Sequence, residues 1–308
     1  MLRWLCDRFA PRGRPFRWAL PLLVAALALL AQWRAPNWTA RAEGWTVDAR
    51  FRLRGVESPH APIVIIAIDE TSFQMLGDLH GENVRTWPRA RWADLIGKIA
   101  AGSPRLIALD AVFDTPGWDA GGDEAMAEAM LRAGNVVLPA NLEVLQVEGY
   151  ASAVLSLPVD PLDRASAGVG VSALPVEADG AIRRLTLLYS YGGQAYPAYA
   201  LVVATLWAGK PISASPRDLG SDLTLPIHFR GPEGTFRTVS LIDVWSGETS
   251  AEIFRDAIVL VGYTTTLEQD RHAAPFAGRR GMPGVEIQAN AVDTLLAGDW
   301  LHRPPAWA

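Results

Sequence analysis

From Trp18 to Trp33 the chain carries no charged residue, and the stretch before it holds Arg3, Arg8, Arg12, Arg14 and Arg17 against one acid, Asp7. A charge at the centre of a spanning helix costs roughly 2.5 to 3.5 kcal/mol, so an unbroken apolar run of this kind suits lipid. The arginines place the N-terminus in the cytoplasm by the positive-inside rule, and Trp18 and Trp33 fall where interfacial belts would lie. Everything after Arg34 is then expected outside the cytoplasm. The run is short against the roughly 17 to 20 residues that a crossing needs. A cleaved signal peptide is therefore a rival reading, with an apolar core at Ala19 to Ala31 and a small-x-small site at Ala40-Arg41-Ala42. A buried soluble helix fits the arginine asymmetry poorly.

These features divide the chain into a basic cytoplasmic leader at 1–17, a transmembrane anchor at 18–34 and an extracytoplasmic domain at 38–305. The whole has a formal net charge of -5 in spite of its basic leader, so nucleic acid is not an expected partner. Cys6 is the sole cysteine and lies in the leader, which excludes an intramolecular disulfide, a cysteine metal site and a thiol nucleophile from the outer domain.

Strands and helices alternate along that domain. Pro62 to Ile68 and Pro104 to Asp110 are continuous apolar runs, the pattern of strands buried on both faces. Between them Pro88 to Ala101 places Trp92, Leu95, Ile96 and Ile99 on one helical face and stops at Gly102, which completes a βαβ unit. Further helices are expected at Trp38 to Leu53, Asp123 to Ala133, Ala198 to Ala208 and Val285 to Leu296. Further strands are expected at Asn135 to Ala140, Leu223 to Arg230, Thr235 to Val239 and Ala257 to Val261. Gly168 to Tyr191 reads as a hairpin turning at Asp179-Gly180, with Arg183 and Arg184 on a solvated strand. The expected fold class is α/β: a mostly parallel central sheet with an antiparallel hairpin insertion, preceded by one N-terminal transmembrane helix.

In an open parallel sheet, ligands sit beyond the carboxyl ends of the strands. Asp69 and Glu70 follow the first strand, and Asp110 and Asp114 follow the second, so the four acids are the candidate site, with Thr71, Ser72, Thr264, Thr265 and Asp270 as possible completions. Such oxygen-rich groups suit Mg²⁺, Ca²⁺ or a protonated amine. The same aspartates equally suit helix caps and turns. Trp87 and Arg89 offer an indole and a guanidinium for an anionic or aromatic ligand, or else a helix start in which both pack locally. His60, His80, His228, His272 and His302 show no metal-ligand spacing, and no Gly-x-Ser-x-Gly nucleophile elbow is present.

Eight segments in order carry a family resemblance: DARFRLRG from Asp48, IVIIAIDETSFQMLG from Ile63, WPRARWADLI from Trp87, LIALDAVFDTP from Leu106, VEADGAIRR from Val176, VSLIDVWSG from Val239, FRDAIVLVG from Phe254 and MPGVEIQANAVDTLLAGDWLHRPP from Met282. The chain resembles the second type of CHASE domain, an extracellular sensory domain of bacterial cyclases and kinases. The resemblance implies a signal-input module rather than an enzyme, with no cofactor, a site in the periplasm anchored to the inner membrane, and an unidentified extracellular signal. It also implies work as a homodimer and an output through further membrane helices to a cytoplasmic cyclase or kinase. The chain stops at Ala308, where the next membrane segment would begin, so a fragment or a shortened member is expected. The alternative outside the resemblance is an exported metal-dependent hydrolase built on the clustered carboxylates.

Overall fold

Three largely apolar strands form the centre of the molecule: β1 (Ile63–Ile68), β2 (Leu106–Asp110) and β11 (Ile258–Tyr263), with β11 between the other two and parallel to both. The computed structural model describes residues 36–80, 86–147, 150–212, 214, 219, 223–267 and 270–300. The leader at 1–17, the expected membrane anchor at 18–34 and the end of the expected domain at 301–305 lie outside them. Among the described residues no helix is long and apolar enough to cross a membrane.

In chain order the elements are α1 (Pro36–Arg54), β1, α2 (Glu70–His80), α3 (Arg89–Ala100), β2, α4 (Gly122–Ala133), β3 (Val136–Val147), β4 (Tyr150–Ser156), α5 (Asp160–Ala165) and β5 (Gly168–Val171). There follow β6 (Arg184–Thr186), β7 (Leu188–Tyr191), β8 (Gln194–Pro197), α6 (Tyr199–Ala208), β9 (Thr224–Pro226), β10 (Arg237–Ser240) and α7 (Leu241–Ser246). A 3₁₀ turn (Ala251–Phe254), β11, β12 (Arg271–His272), β13 (Met282–Pro283) and α8 (Gly284–Ala297) complete the described chain. The main sheet runs β10-β1-β11-β2-β3, with β5 also on β3, and all these pairs are parallel. The second half of β3 leaves the sheet to pair antiparallel with β4, and β7 with β8 makes a second hairpin.

Side chains alternate across a strand, so each central strand serves two cores. Ile63, Ile65, Leu106, Ala108, Ile258 and Leu260 face a core completed by α6 and α8. Val64, Ile66, Ile107, Leu109, Val259 and Val261 face the opposite core, built on α3, α4 and α7. This two-sided burial is why the strands lack the apolar-polar alternation of a half-exposed sheet.

The expected hairpin across Asp179-Gly180 does not form. β5 pairs with β3, and β6 pairs antiparallel with β9 instead. Arg183 accounts for the difference: far from sitting on a solvated strand, it is 5% exposed. Its guanidinium donates to both Asp48 oxygens at 2.7 and 2.9 Å, to Glu177 at 2.7 Å and to Asp179 at 2.9 and 3.0 Å. The turn is thereby pulled onto α1, and Gly44 permits it, since a Cβ there would lie 2.9 Å from both the guanidinium and the Asp179 carboxylate. Burial alone would lower the Arg183 pKa, but the hydrogen bonds it donates to the three acids overcome this and raise it.

Candidate functional site

At the carboxyl edge of the sheet, where β2, β5 and β11 end and α8 begins, a cleft of about 340 Å³ opens. Asp110, Ser172, Tyr263, Asp270, Gly284 and Gln288 are among its lining residues. Register explains part of this geometry. Asp110 closes β2 opposite Gly262 of β11, and a Cβ at position 262 would stand 2.7 Å from the Cβ of Val285 and 3.2 Å from that of Asp110. Glycine there lets the first turn of α8 rest against the strand ends.

Asp270 reaches the same place from the loop before β12. Its carbonyl accepts the Gly284 amide at 3.0 Å, and its carboxylate pairs with His272 Nε2 at 3.1 Å. Any side chain at Gly284 would strike that carboxylate, as a Cβ would sit 2.4 Å from Oδ1. Gln288, one turn further along α8, donates to the Ser172 carbonyl at 2.8 Å and ties the helix to the end of β5.

Burial, reinforced by the charge of Asp270, pushes the Asp110 carboxyl up to about 8, so it is protonated at neutral pH. The Tyr199 hydroxyl is completely buried and has no hydrogen-bond partner among the described residues. Burial raises its pKa well above the usual value, and the charge of Asp110 adds to the effect.

The other expected site residues lie elsewhere and do not line this cleft. Asp69 stands at the N-terminus of α2, where its Oδ1 accepts from the Ser72 amide at 2.8 Å, the Ser72 hydroxyl at 2.7 Å and the Ser240 hydroxyl at 2.9 Å. Glu70 accepts from the amide and hydroxyl of Thr266 at 2.7 and 3.0 Å. Burial opposes ionisation of Glu70, but these bonds outweigh it and lower its pKa. Asp114 sits, half-buried, in the loop after β2.

Trp87 and Arg89 belong to the opposite core. Trp87 is 3% exposed and meets the rings of Trp92 and Trp245 at 5.8 and 5.0 Å. Arg89 binds Asp123 at 2.9 Å and the Thr115 carbonyl at 2.7 Å while lying 4.8 Å over the Phe113 ring. Arg89 thus fastens the loop after β2 to the start of α3, while Trp87 packs that start against α7. Among the described residues no three histidine, cysteine or acidic side chains gather closely enough to hold a metal ion.

Tyr199, His272 and Gln288 were not singled out in the sequence as site residues. The one signal for Tyr199 is Gly170: a Cβ there would lie 2.6 Å from the Tyr199 Cα, so the paired glycines of β5 mark a close backbone approach.

The fold and the cleft together define a parallel α/β domain with a small-molecule-sized opening at the carboxyl edge of its sheet. A family model described as the CHASE2 domain matches residues 22–308, and the chain belongs to that family of extracellular sensory domains of signalling proteins. Comparison with curated proteins gives no match, and neither does comparison with solved structures.

Proposed function

We propose that this chain is the membrane-anchored, extracytoplasmic input domain of a bacterial receptor, that its signal is a small molecule bound in the cleft at Asp110 and Asp270, and that its output is a cytoplasmic cyclase or kinase. The uncharged run at 18–33 behind an arginine-rich leader supplies the anchor and the orientation. A single structural observation carries the ligand site: the cleft is closed on one side by the start of α8, bonded to Asp270 through Gly284 and to Ser172 through Gln288 one turn on. A ligand changes a conformational equilibrium only through a difference in affinity for the two arrangements. Contacts that straddle a strand end and a helix start provide such a difference.

The levers are α1 and α8. The first follows the proposed anchor directly, and the second leads to the C-terminal end of the chain. Near their ends they meet in one polar network, in which Arg54 of α1 pairs with Glu57 at 3.0 Å while Arg230 binds Asp299, just beyond α8, at 2.7 Å. A homodimer is part of this proposal, since pairing would let a shift in α1 of one copy act on its partner. The hydrolase alternative draws no support from the acids, which are engaged in separate local bonds at Asp69 and Glu70.

The test is a thermal-shift screen of the full chain against small metabolites. A ligand at a hundred times its dissociation constant stabilises the bound fold by about 2.7 kcal/mol, a shift of several degrees. The proposal expects a shift that disappears in Asp110→Asn. A shift that survives both Asp110→Asn and Asp270→Asn would move the input site elsewhere.

A further inference from the structure

The lining of the cleft has a definite electrical character. It holds the carboxyls of Asp110 and Asp270, and among the described residues no lysine or arginine lines it. His272 is the one basic side chain present, and it is already paired with Asp270. Among the described residues the Asp110 carboxyl accepts no hydrogen bond. The Tyr199 hydroxyl, wholly buried and unpartnered, lies within the electrostatic reach of that same carboxyl. Tyr199 is not among the residues that line the cleft, so its unbonded hydroxyl bears on the site only through the carboxyl of Asp110. Ser172 and Gln288 also line the cleft, and Val112, Leu174, Ile182 and Tyr263 give it an apolar and aromatic wall.

A divalent metal fits this set poorly. Ca²⁺ takes six to eight oxygen ligands and Mg²⁺ an octahedron, whereas among the described residues Asp110, Asp270 and His272 do not gather closely enough to hold a metal ion. An organic ammonium needs only two or three acceptors, and its carbon chain matches apolar walls. The volume, about 340 Å³, is near the lower end of small-molecule pockets, which run from roughly 300 to 1,000 Å³.

We propose that the cleft binds a small primary amine whose ammonium group sits between Asp110 and Asp270, joining the end of β2 to the start of α8. The inference rests on the reading of this cleft as the input site and names its ligand class. Three groups bear on Asp110: Asp270, whose charge repels it; His272, which acts through Asp270; and Tyr199, which stays neutral. Without ligand, Asp110 keeps a proton because burial disfavours its charge, and the charge of Asp270 acts in the same direction. When the ammonium enters, that proton leaves to solvent, the ligand keeps its own charge, and two carboxylates are bridged by one cation. Charge and protons balance with no other reactant.

Calorimetric titration of the full chain with putrescine and ethanolamine, at pH 7 in two buffers of different ionisation enthalpy, tests this. The expected result is binding of at least one amine with close to one proton released, and no binding of 1,4-butanediol or succinate. Asp110→Asn and Asp270→Asn, each first shown to be folded by its melting curve, should weaken binding by roughly 10- to 100-fold, as loss of a charged hydrogen-bond partner does. Wild-type affinity should rise from pH 6 to pH 9, while that of Asp110→Asn stays flat. Failure of both amines to bind, binding of the diol or succinate with equal strength, or unchanged affinity in both variants overturns the inference. The two readings fail separately. Amine binding that leaves α1 and α8 unaltered in hydrogen exchange would end the sensor reading and keep the ligand class. A neutral metabolite whose thermal shift is lost in Asp110→Asn would do the reverse.

Discussion

Helices α3 and α8 lie on opposite faces of the same sheet and are built on different principles. Helix α3 buries Trp92, Leu95, Ile96 and Ile99, an apolar stripe at helical spacing, and leaves its other positions more accessible. Helix α8 is buried from Gly284 to Leu295 on every side, although it carries Glu286, Gln288, Asn290, Asp293 and Thr294. Its polar residues hold backbone that belongs to no strand. Asn290 Oδ1 accepts the Arg230 amide at 2.8 Å, Thr294 accepts the His228 amide at 3.0 Å, and Glu286 accepts the Gly234 amide at 3.1 Å. Asp293 accepts the amides of His60 and Ala61 at 2.8 and 2.7 Å and pairs with the buried Arg230. The contrast teaches that a polar stripe on a helix is not always a wet face. Here it satisfies the irregular segments between β9 and β10 and before β1, whose amides would otherwise be buried unbonded.

The largest blow to this contrast should come from Asp293→Ala, which strands one side of the Arg230 pair and two amides. The expected cost is about 3 to 5 kcal/mol, read from the urea midpoint. A loss below about 1 kcal/mol would mean that α8 is held by its apolar contacts, as α3 is. Next, Gly262→Ala should cost about 1 to 3 kcal/mol by overpacking against Val285. The same substitution at Gly97 of α3, where an added Cβ meets nothing within 4 Å, should stabilise slightly.

The pH dependence sharpens the comparison further. Burial raises the Glu286 carboxyl from 4.5 to about 7, with the charge of Glu233 acting in the same direction and backbone donors opposing it. Its folded pKa lies above the unfolded one, so its contribution is complete below about pH 4.5 and is lost as pH rises through about 7. Glu286→Gln should therefore gain on wild type as pH rises from 5 to 8, with melting temperature as the readout. A parallel loss in both proteins would reject this assignment. Among the destabilising changes the smallest is Ile96→Val on α3, which should cost about 0.5 to 1.5 kcal/mol, with the same value at pH 5 and pH 8.

Much of the fold was legible because both-face burial leaves a plain signature. The runs at Ile63, Leu106 and Ile258 were readable as interior strands, and α3 was readable from its stripe. The Asp179-Gly180 turn misled because its local chemistry suits a hairpin, while the decisive contact, Arg183 to Asp48 of α1, joins residues 135 apart in sequence. The candidate site was legible only in part. Asp110 and Asp270 were visible as acids near strand ends, but nothing local separates them from Asp69, which bonds Ser72 three residues on. Trp87 and Arg89 were read at the right helix start, yet which face they turn to depends on α4 and α7 packing there. Gln288 joins the site region through its bond to Ser172 and Tyr199 through the electrostatic reach of Asp110, pairings that no sequence window contains.

The central claim is that the cleft acts on α8 through Asp110 and Asp270, and the ionisation of Asp110 itself is a probe of it. Hydrogen exchange of the full chain, corrected for intrinsic rates, should be followed from pH 6 to pH 9. Deprotonating Asp110 near pH 8 puts a second negative charge beside Asp270. The account predicts that protection in the first turn of α8 falls across this range in the wild type, stays level in Asp110→Asn, and is unchanged in α3 in both proteins. Equal behaviour of α8 in the two proteins, or loss of protection in α3 and α8 together, would contradict it.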